Sequence, residues 1–299
     1  MTVRRLTLVL TSVILTAVVV VVGKDLVSRF LERREFEKTF EPLGPNAQGR
    51  DEFRHRETGI VFVSLPGGDF EFGREVTTFW GLNAKESRPG RKVTLEPFLI
   101  AKYELSQEEW LRVMSANPSF VQGEQLPVES VSFAACEEFC EKSGLRLPTP
   151  EQWEYACKAG SDRRFAIVGE LDDSVWYAGN SHNGAQAVGS KSPNRFGIHD
   201  MHGNVREWCR GDYLPDLIPD FIRSELDEQQ TERIAAAGRE IIAARFAGYH
   251  IRRGGCWGSS QSSCAATAAD GQPDEFARAD TGFRPVWLHE STPADEHED

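Results

Sequence analysis

The sequence predicts an α+β fold with little regular secondary structure, preceded by one transmembrane helix. Three observations carry that reading. An uncharged apolar run opens the chain, strand-like and helix-capping segments share the first half of the remaining residues, and the second half is rich in Gly, Asn, Ser and Trp without long periodic runs. A segment of that last composition forms short strands and ordered loops rather than helices.

From Leu6 to Gly23 no charge interrupts a run of Val, Leu, Ile, Thr and Ala, with Arg4 and Arg5 before it and Lys24 after it. At about 1.5 Å per residue such a helix nearly spans a hydrocarbon core of about 30 Å. Cleaved leaders end in a small-x-small site, whereas here Val18 to Val22 run directly into Gly23 and Lys24, so an uncleaved anchor is expected. The expected order is a cytoplasmic end over 1–5, the anchor over 6–23, and a stalk with a Pro/Gly linker over 24–55. A folded domain over 56–290 and an acidic disordered tail over 291–299 complete it. That arrangement is a single-pass protein of the cell membrane with its domain outside the cytoplasm.

Within the domain, Gly59 to Leu65 reads as a strand running into the turn at Pro66-Gly67-Gly68, and Lys92 to Ile100 as a second strand. Ser106 with Glu109 three residues on is a capping box, with Leu105 and Trp110 placed as a hydrophobic staple. Ser132 opens the next helix, with Phe133, Cys136 and Cys140 inward. Thr149 is followed by Pro150 at the first helical position and Gln152 at the third, so Trp153, Ala156 and Cys157 share one face. Residues of about 214–247 depart from the loop-rich pattern: Leu226, Ile234, Ile241 and Ile242 recur at helical intervals, which predicts a helical insertion laid on the domain surface.

A formal charge of −12, with no basic cluster outside the N-terminal flank, excludes a nucleic-acid partner. No nucleophile elbow, phosphate loop or Ser-His-Asp pattern is present. His182, His199 and His202 lack a metal-ligand spacing and read as solvated loop histidines.

Five stretches occur together in one order: Leu65 to Gly73 (LPGGDFEFG), Arg146 to Ala156 (RLPTPEQWEYA), Pro193 to Trp208 (PNRFGIHDMHGNVREW), Arg253 to Trp257 (RGGCW) and Gly282 to Arg284 (GFR). In these the chain resembles the sulfatase-modifying-factor, or formylglycine-generating-enzyme, family over nearly all of residues 58–288. The resemblance implies a C-type-lectin-like α+β fold. It also implies a chemistry, the oxidation of a peptidyl cysteine of a sulfatase to formylglycine by a pair of cysteines that bind Cu(I). Two thiolates suit a soft monovalent ion. Matched from Arg253, the second cysteine position falls on Cys264 and the first on Ser259, whose hydroxyl is a hard, weak ligand for copper. Cys256 stands where the family commonly has serine and is the candidate to restore the pair.

The resemblance further implies calcium, held by Asp200, Gly203, Val205 and Glu207, a mix of carboxylate and backbone oxygens of the kind Ca²⁺ prefers. Cys140 and Cys157 match cysteines that the family ties to partners near the C-terminus, but those partner positions hold Ala269 and Pro285. Two functions are compatible with these residues. One is a membrane-anchored oxidase acting on a peptide or protein substrate such as a sulfatase, compromised at Ser259. The other is a non-catalytic lectin-like binding or scaffold module that keeps the fold and a calcium site, with the small polar side chains from Ser259 to Thr267 lining its groove.

Overall fold

In the computed structural model the described residues are 33–73, 75–78, 85–88, 90–212, 229, 230, 233 and 245–288. The anchor expected over 6–23, most of the insertion expected over 214–247 and the acidic tail lie outside them. Among the described residues no helix is long and apolar enough to cross a membrane. The chain divides into two units, one of Met1–Glu41 with His289–Asp299 and one of Pro42–Leu288. In the first, residues 33–39 are helical.

The second unit departs at once from expectation. Where a linker is predicted up to residue 55, the chain instead forms β1 (Phe40–Pro45) and β2 (Asp51–His55). The turn between them is tied by the Asn46 side chain, whose Oδ1 accepts from the backbone N–H of Gln48 and Arg50. An Asx-type turn of this kind is what Asn contributes between strands, and Pro at a sheet edge needs no ladder donor.

β3 (Val61–Leu65) then pairs antiparallel with β2. β4 (Gly68–Phe72) comes next, then β5 (Glu75–Thr78) and β6 (Lys85–Arg88), which form a hairpin, and β7 (Arg91–Leu95), which returns along β4. The single strand expected over 92–100 is two: β8 (Phe98–Ala101) lies against β3 in a different sheet. Pro97 stands at the break, and without an N–H it cannot continue a ladder.

Three short helices carry the caps read from the sequence. In α1 (Gln107–Leu111) both halves of the Ser106/Glu109 capping box form, and in α3 (Pro150–Lys158) both halves of the Thr149/Gln152 box do. In α2 (Phe133–Ser143) the Ser132 side chain accepts from Ala135 N–H, and the helix ends at a left-handed Gly144. Each cap stabilises its helix by about 1 kcal/mol.

After α3 come β9 (Arg206–Asp212), β10 (Tyr249–Arg253), β11 (Ala269–Pro273), β12 (Thr281–Gly282) and β13 (Val286–Leu288). One sheet has the order β1-β2-β3-β8-β13 and another β11-β10-β9-β12, in which β12 runs parallel to β9. The core lies between them and α3: Val63, Leu65, Ile100 and Val286 pack with Trp153, Ala156 and Cys157, and with Ile198, Met201, Cys209 and Ala266. Truncating one such aromatic costs about 3–5 kcal/mol, so α3 is locked and everything bonded to Trp153 is locked with it.

Candidate functional site

The Arg253-Gly254-Gly255 turn builds the first part of the site. β10 ends at Arg253, whose guanidinium reaches the buried Glu154 of α3 at 3.0 Å. Gly254 and Gly255 then take φ of +88° and +72°. At Gly255 any Cβ would sit 2.6 Å from the Ser263 carbonyl and 2.8 Å from the Cys264 sulfur, so only glycine lets the two strands of this loop approach so closely. The turn delivers Cys256 to Arg206, the first residue of β9. Arg206 Nη1 donates to Cys256 Sγ at 2.7 Å and Nη2 to Ser259 Oγ at 3.2 Å. Sγ and Oγ are 3.3 Å apart, and Ser259 Oγ also accepts from the Cys256 N–H. Asp280 and Asp270 flank the guanidinium at 2.9 and 3.3 Å. Burial works against the charge of Arg206, but Cys256, Asp270 and Asp280 outweigh it and hold the guanidinium above its ordinary value.

Cys264 is fully buried, and its thiol, pushed up to about 12 chiefly by burial and next by the neighbouring Cys256, stays neutral. The six cysteines are all free, and Cys140 and Cys157 are among them.

A second centre lies alongside, reached through hydrogen bonds from Gly203 N–H to Gly254 and from Trp257 N–H to Asn204. Gly203 has φ of +99°, and a Cβ there would lie 1.8 Å from the Trp176 carbonyl. Glu207 is completely buried. Its Oε2 accepts from Trp153 Nε1 and Arg284 Nε at 2.7 Å each, and its Oε1 from Arg284 Nη2 at 2.8 Å. Arg284 Nη2 also donates to the His199 carbonyl and Nη1 to that of Ala101. Glu104, likewise buried, accepts from Val205 N–H and from Asn204 Nδ2. Asp200 has one oxygen on the Gly189 N–H and the other, Oδ1, buried with no hydrogen-bond partner.

Three carboxyl groups thus share one guanidinium. Burial and the neighbouring carboxylates push Glu104 well up, and burial raises Asp200 to about 6.

With this geometry in hand, the comparisons are decisive for the family. Residues 49–288 match the model of the Sulfatase-modifying factor enzyme 1-like domain. The chain belongs to this family. It is 31% identical over 185 aligned residues to the chaperone protein LppX of Paenibacillus barcinonensis, covering 42% of this chain and 66% of that protein. The chain therefore spans just under two thirds of that relative's length. It is 24% identical to the formylglycine-generating enzyme of Thermomonospora curvata, covering 77% and 94% of the two chains. Among solved structures, Treponema denticola variable protein 1 superposes with a TM-score of 0.58 at 22% identity, covering 78% of this chain and 97% of that one, a likeness of fold.

The structure puts Cys256 and Ser259 in contact and Cys264 against the Gly255 side of the same turn. What sequence reading missed is Arg206, whose cation occupies the space beside both Cys256 and Ser259. Asp200 and Glu207, the two carboxylates of the expected calcium set, are both buried. Both oxygens of Glu207 are committed to Arg284 and Trp153, and only Asp200 offers an oxygen without a partner. Among the described residues no group of three His, Cys, Asp or Glu side chains converges as a metal site. Arg284 is the cation that Glu207 already has.

Of the three histidines expected to be solvated, His182 is exposed and the other two are not. His202 is buried, its Nδ1 bonded to the Cys264 carbonyl and its Nε2 accepting from Ala166 N–H, and burial depresses it to about 4. His199 is held by the Lys191 carbonyl.

Proposed function

We propose that this chain is a membrane-anchored, non-catalytic member of the sulfatase-modifying-factor family, a binding or scaffold module that takes up a peptide or protein without oxidising it. The observation that carries this reading is the Arg206 guanidinium, 2.7 Å from Cys256 Sγ and 3.2 Å from Ser259 Oγ. A bis-thiolate copper site needs two ionised sulfurs with no competing cation between them. Here the first position is a hydroxyl, Cys264 is a neutral buried thiol, and the one substitute sulfur already faces a fixed positive charge. Attraction for Cu(I) is replaced by repulsion, and the oxidase chemistry loses its metal.

What remains is a rigid scaffold whose Ser260–Ser263 turn is exposed and hydroxyl-rich, suited to hydrogen bonding with a peptide backbone. The uncharged run over residues 6–23 supports a membrane anchor, with the domain outside the cytoplasm. Cu(I) titration of the whole chain, followed by oxygen uptake on a Cys-x-Pro-x-Arg peptide, tests the reading. Neither tight copper binding nor turnover is expected; either one overturns it.

A further inference from the structure

We propose that the cavity between β4 and the C-terminal end of α3 binds a trimethylammonium cation of the choline type. It shares no lining residue with the Arg206 centre, so the inference goes beyond the reading of that centre and does not depend on it.

Three observations carry it. The first is the wall. The cavity holds about 360 Å³ and is lined by the rings of Phe70, Tyr155 and Phe196. Tyr155 stands edge-on to Phe70, with centroids 5.4 Å apart and planes at 71°, and is tilted against Phe196 at 5.8 Å. Aromatic rings set at angles around one space are the arrangement that holds quaternary ammonium groups, through the negative ring faces. Arg50 already rests its guanidinium 4.7 Å from the Phe196 centroid, so this cluster accepts a cation within the chain itself. The wall is also preformed. Tyr155 donates its hydroxyl proton to the Gly67 carbonyl at 2.6 Å, while the Phe196 N–H donates to Asn194, whose Nδ2 is bonded to the Ala156 carbonyl of α3. Fixed rings lower the ordering cost of binding.

The second observation is charge. Asp69, Glu71 and Asp162 line the same cavity, and the one cation among its described lining residues, Lys158, is held by Glu154 at 2.7 Å. The last carbonyls of α3 lie at this end and add negative potential. A cation is drawn into such a cleft, and an anion is repelled.

Third, the acceptors select the kind of cation. A primary ammonium has three N–H groups to satisfy. The wall offers it only the Tyr155 oxygen, already bonded to Gly67; Asp69 Oδ1 is engaged by the Thr94 hydroxyl, and the Glu71 carbonyl by Lys158. A trimethylammonium group requires no acceptor, and its methyl groups gain from leaving water for the rings. A phosphocholine headgroup would bring its phosphate beside three carboxylates, which favours the free cation over a lipid.

Isothermal titration calorimetry of the full chain in a maltoside detergent, with choline chloride as the probe at fixed ionic strength, tests the assignment. A Kd of about 1 mM is expected for a ligand of seven non-hydrogen atoms. Ethanolamine, phosphocholine and the uncharged tert-butyl analogue of choline should each bind at least about tenfold more weakly. Phe70→Leu should weaken choline about tenfold, whereas Tyr155→Phe, which keeps the ring, should hold the affinity within about twofold. Asp162→Asn, at an exposed position, should weaken it about threefold. The ligand series on the unaltered chain decides the matter even where a variant does not fold. Absence of saturable binding overturns the proposal, as does equal binding of the uncharged analogue or of ethanolamine. Tighter binding of phosphocholine than of choline overturns it in favour of a lipid headgroup. An affinity unchanged in Phe70→Leu overturns the location.

Discussion

Two arginines of this molecule, Arg284 and Arg206, sit a short distance apart and do opposite things. Arg284 and its partner Glu207 are both fully buried, and the pair is overdetermined: two hydrogen bonds to one carboxylate, two or more to carbonyls, and Trp153 completing the carboxylate's shell. Arg206 keeps a fifth of its side chain exposed and divides its donors among two aspartates, a hydroxyl and a sulfur. The buried pair lost its water on folding and depends wholly on its partners, so it is architecture. The partly open one retains solvent as an alternative, so its ion pairs carry less of the fold.

This contrast is broken or sharpened by five measurements. Arg284→Leu leaves Glu207 buried without its cation beside Glu104 and Asp200, and should cost about 3–5 kcal/mol in urea unfolding, or prevent folding. Arg206→Leu should cost about 1 kcal/mol or less, because its ion pairs are partly solvated. Equal losses in the two would erase the distinction. Gly203→Ala forces a methyl group against the Trp176 carbonyl at a positive φ and should cost about 3 kcal/mol; an unchanged melting temperature would show that this loop is not fixed.

A pH series separates the acid centre from the histidine next to it. Asp200 is raised to about 6 in the fold, mainly by burial, against about 3.9 unfolded. Its contribution to stability is therefore fully present below about pH 4 and lost as the pH rises through 6. His202 is depressed to about 4 by burial, so its contribution is present above about pH 6.5 and lost as the pH falls through 4. The two slopes oppose each other in the native chain. In Asp200→Asn the histidine's slope is no longer opposed by Asp200, and the melting temperature should climb more steeply between pH 4 and 6.5, a change on the order of 2 kcal/mol across the window. Parallel curves would place the surplus charge elsewhere. The smallest effect concerns copper. Ser259→Cys alone should gain little Cu(I) affinity because Arg206 remains, while Ser259→Cys with Arg206→Leu should bind at least about tenfold tighter.

Legibility along the chain tracked the range of the interactions. Capping at Ser106, Ser132 and Thr149 was readable because each cap is decided within four residues, and the inward face of Trp153, Ala156 and Cys157 because helical spacing settles it. The division of residues 92–100 at Pro97 is readable in principle from the missing N–H, but the flanking residues are strand-like on both sides and mask it. β1 and β2 escape sequence reading since Pro and Gly dominate their surroundings, and only the pairing of β2 with β3 and of β1 with β2 makes them strands. Glu104 carries a faint signal as a carboxylate between Tyr103 and Leu105 just past a buried strand.

The sequence by itself determined the family and the local caps, since each is a matter of residue identity at a position. Which charges meet was decided only by the tertiary structure. Arg284 lies 77 residues from Glu207, and Arg206 lies 50 from Cys256. Spacing along a chain does not encode such encounters; they arise when β9, β10 and β12 align and the glycine turn folds over them, and electrostatic energy depends on that final distance and on the water excluded from it.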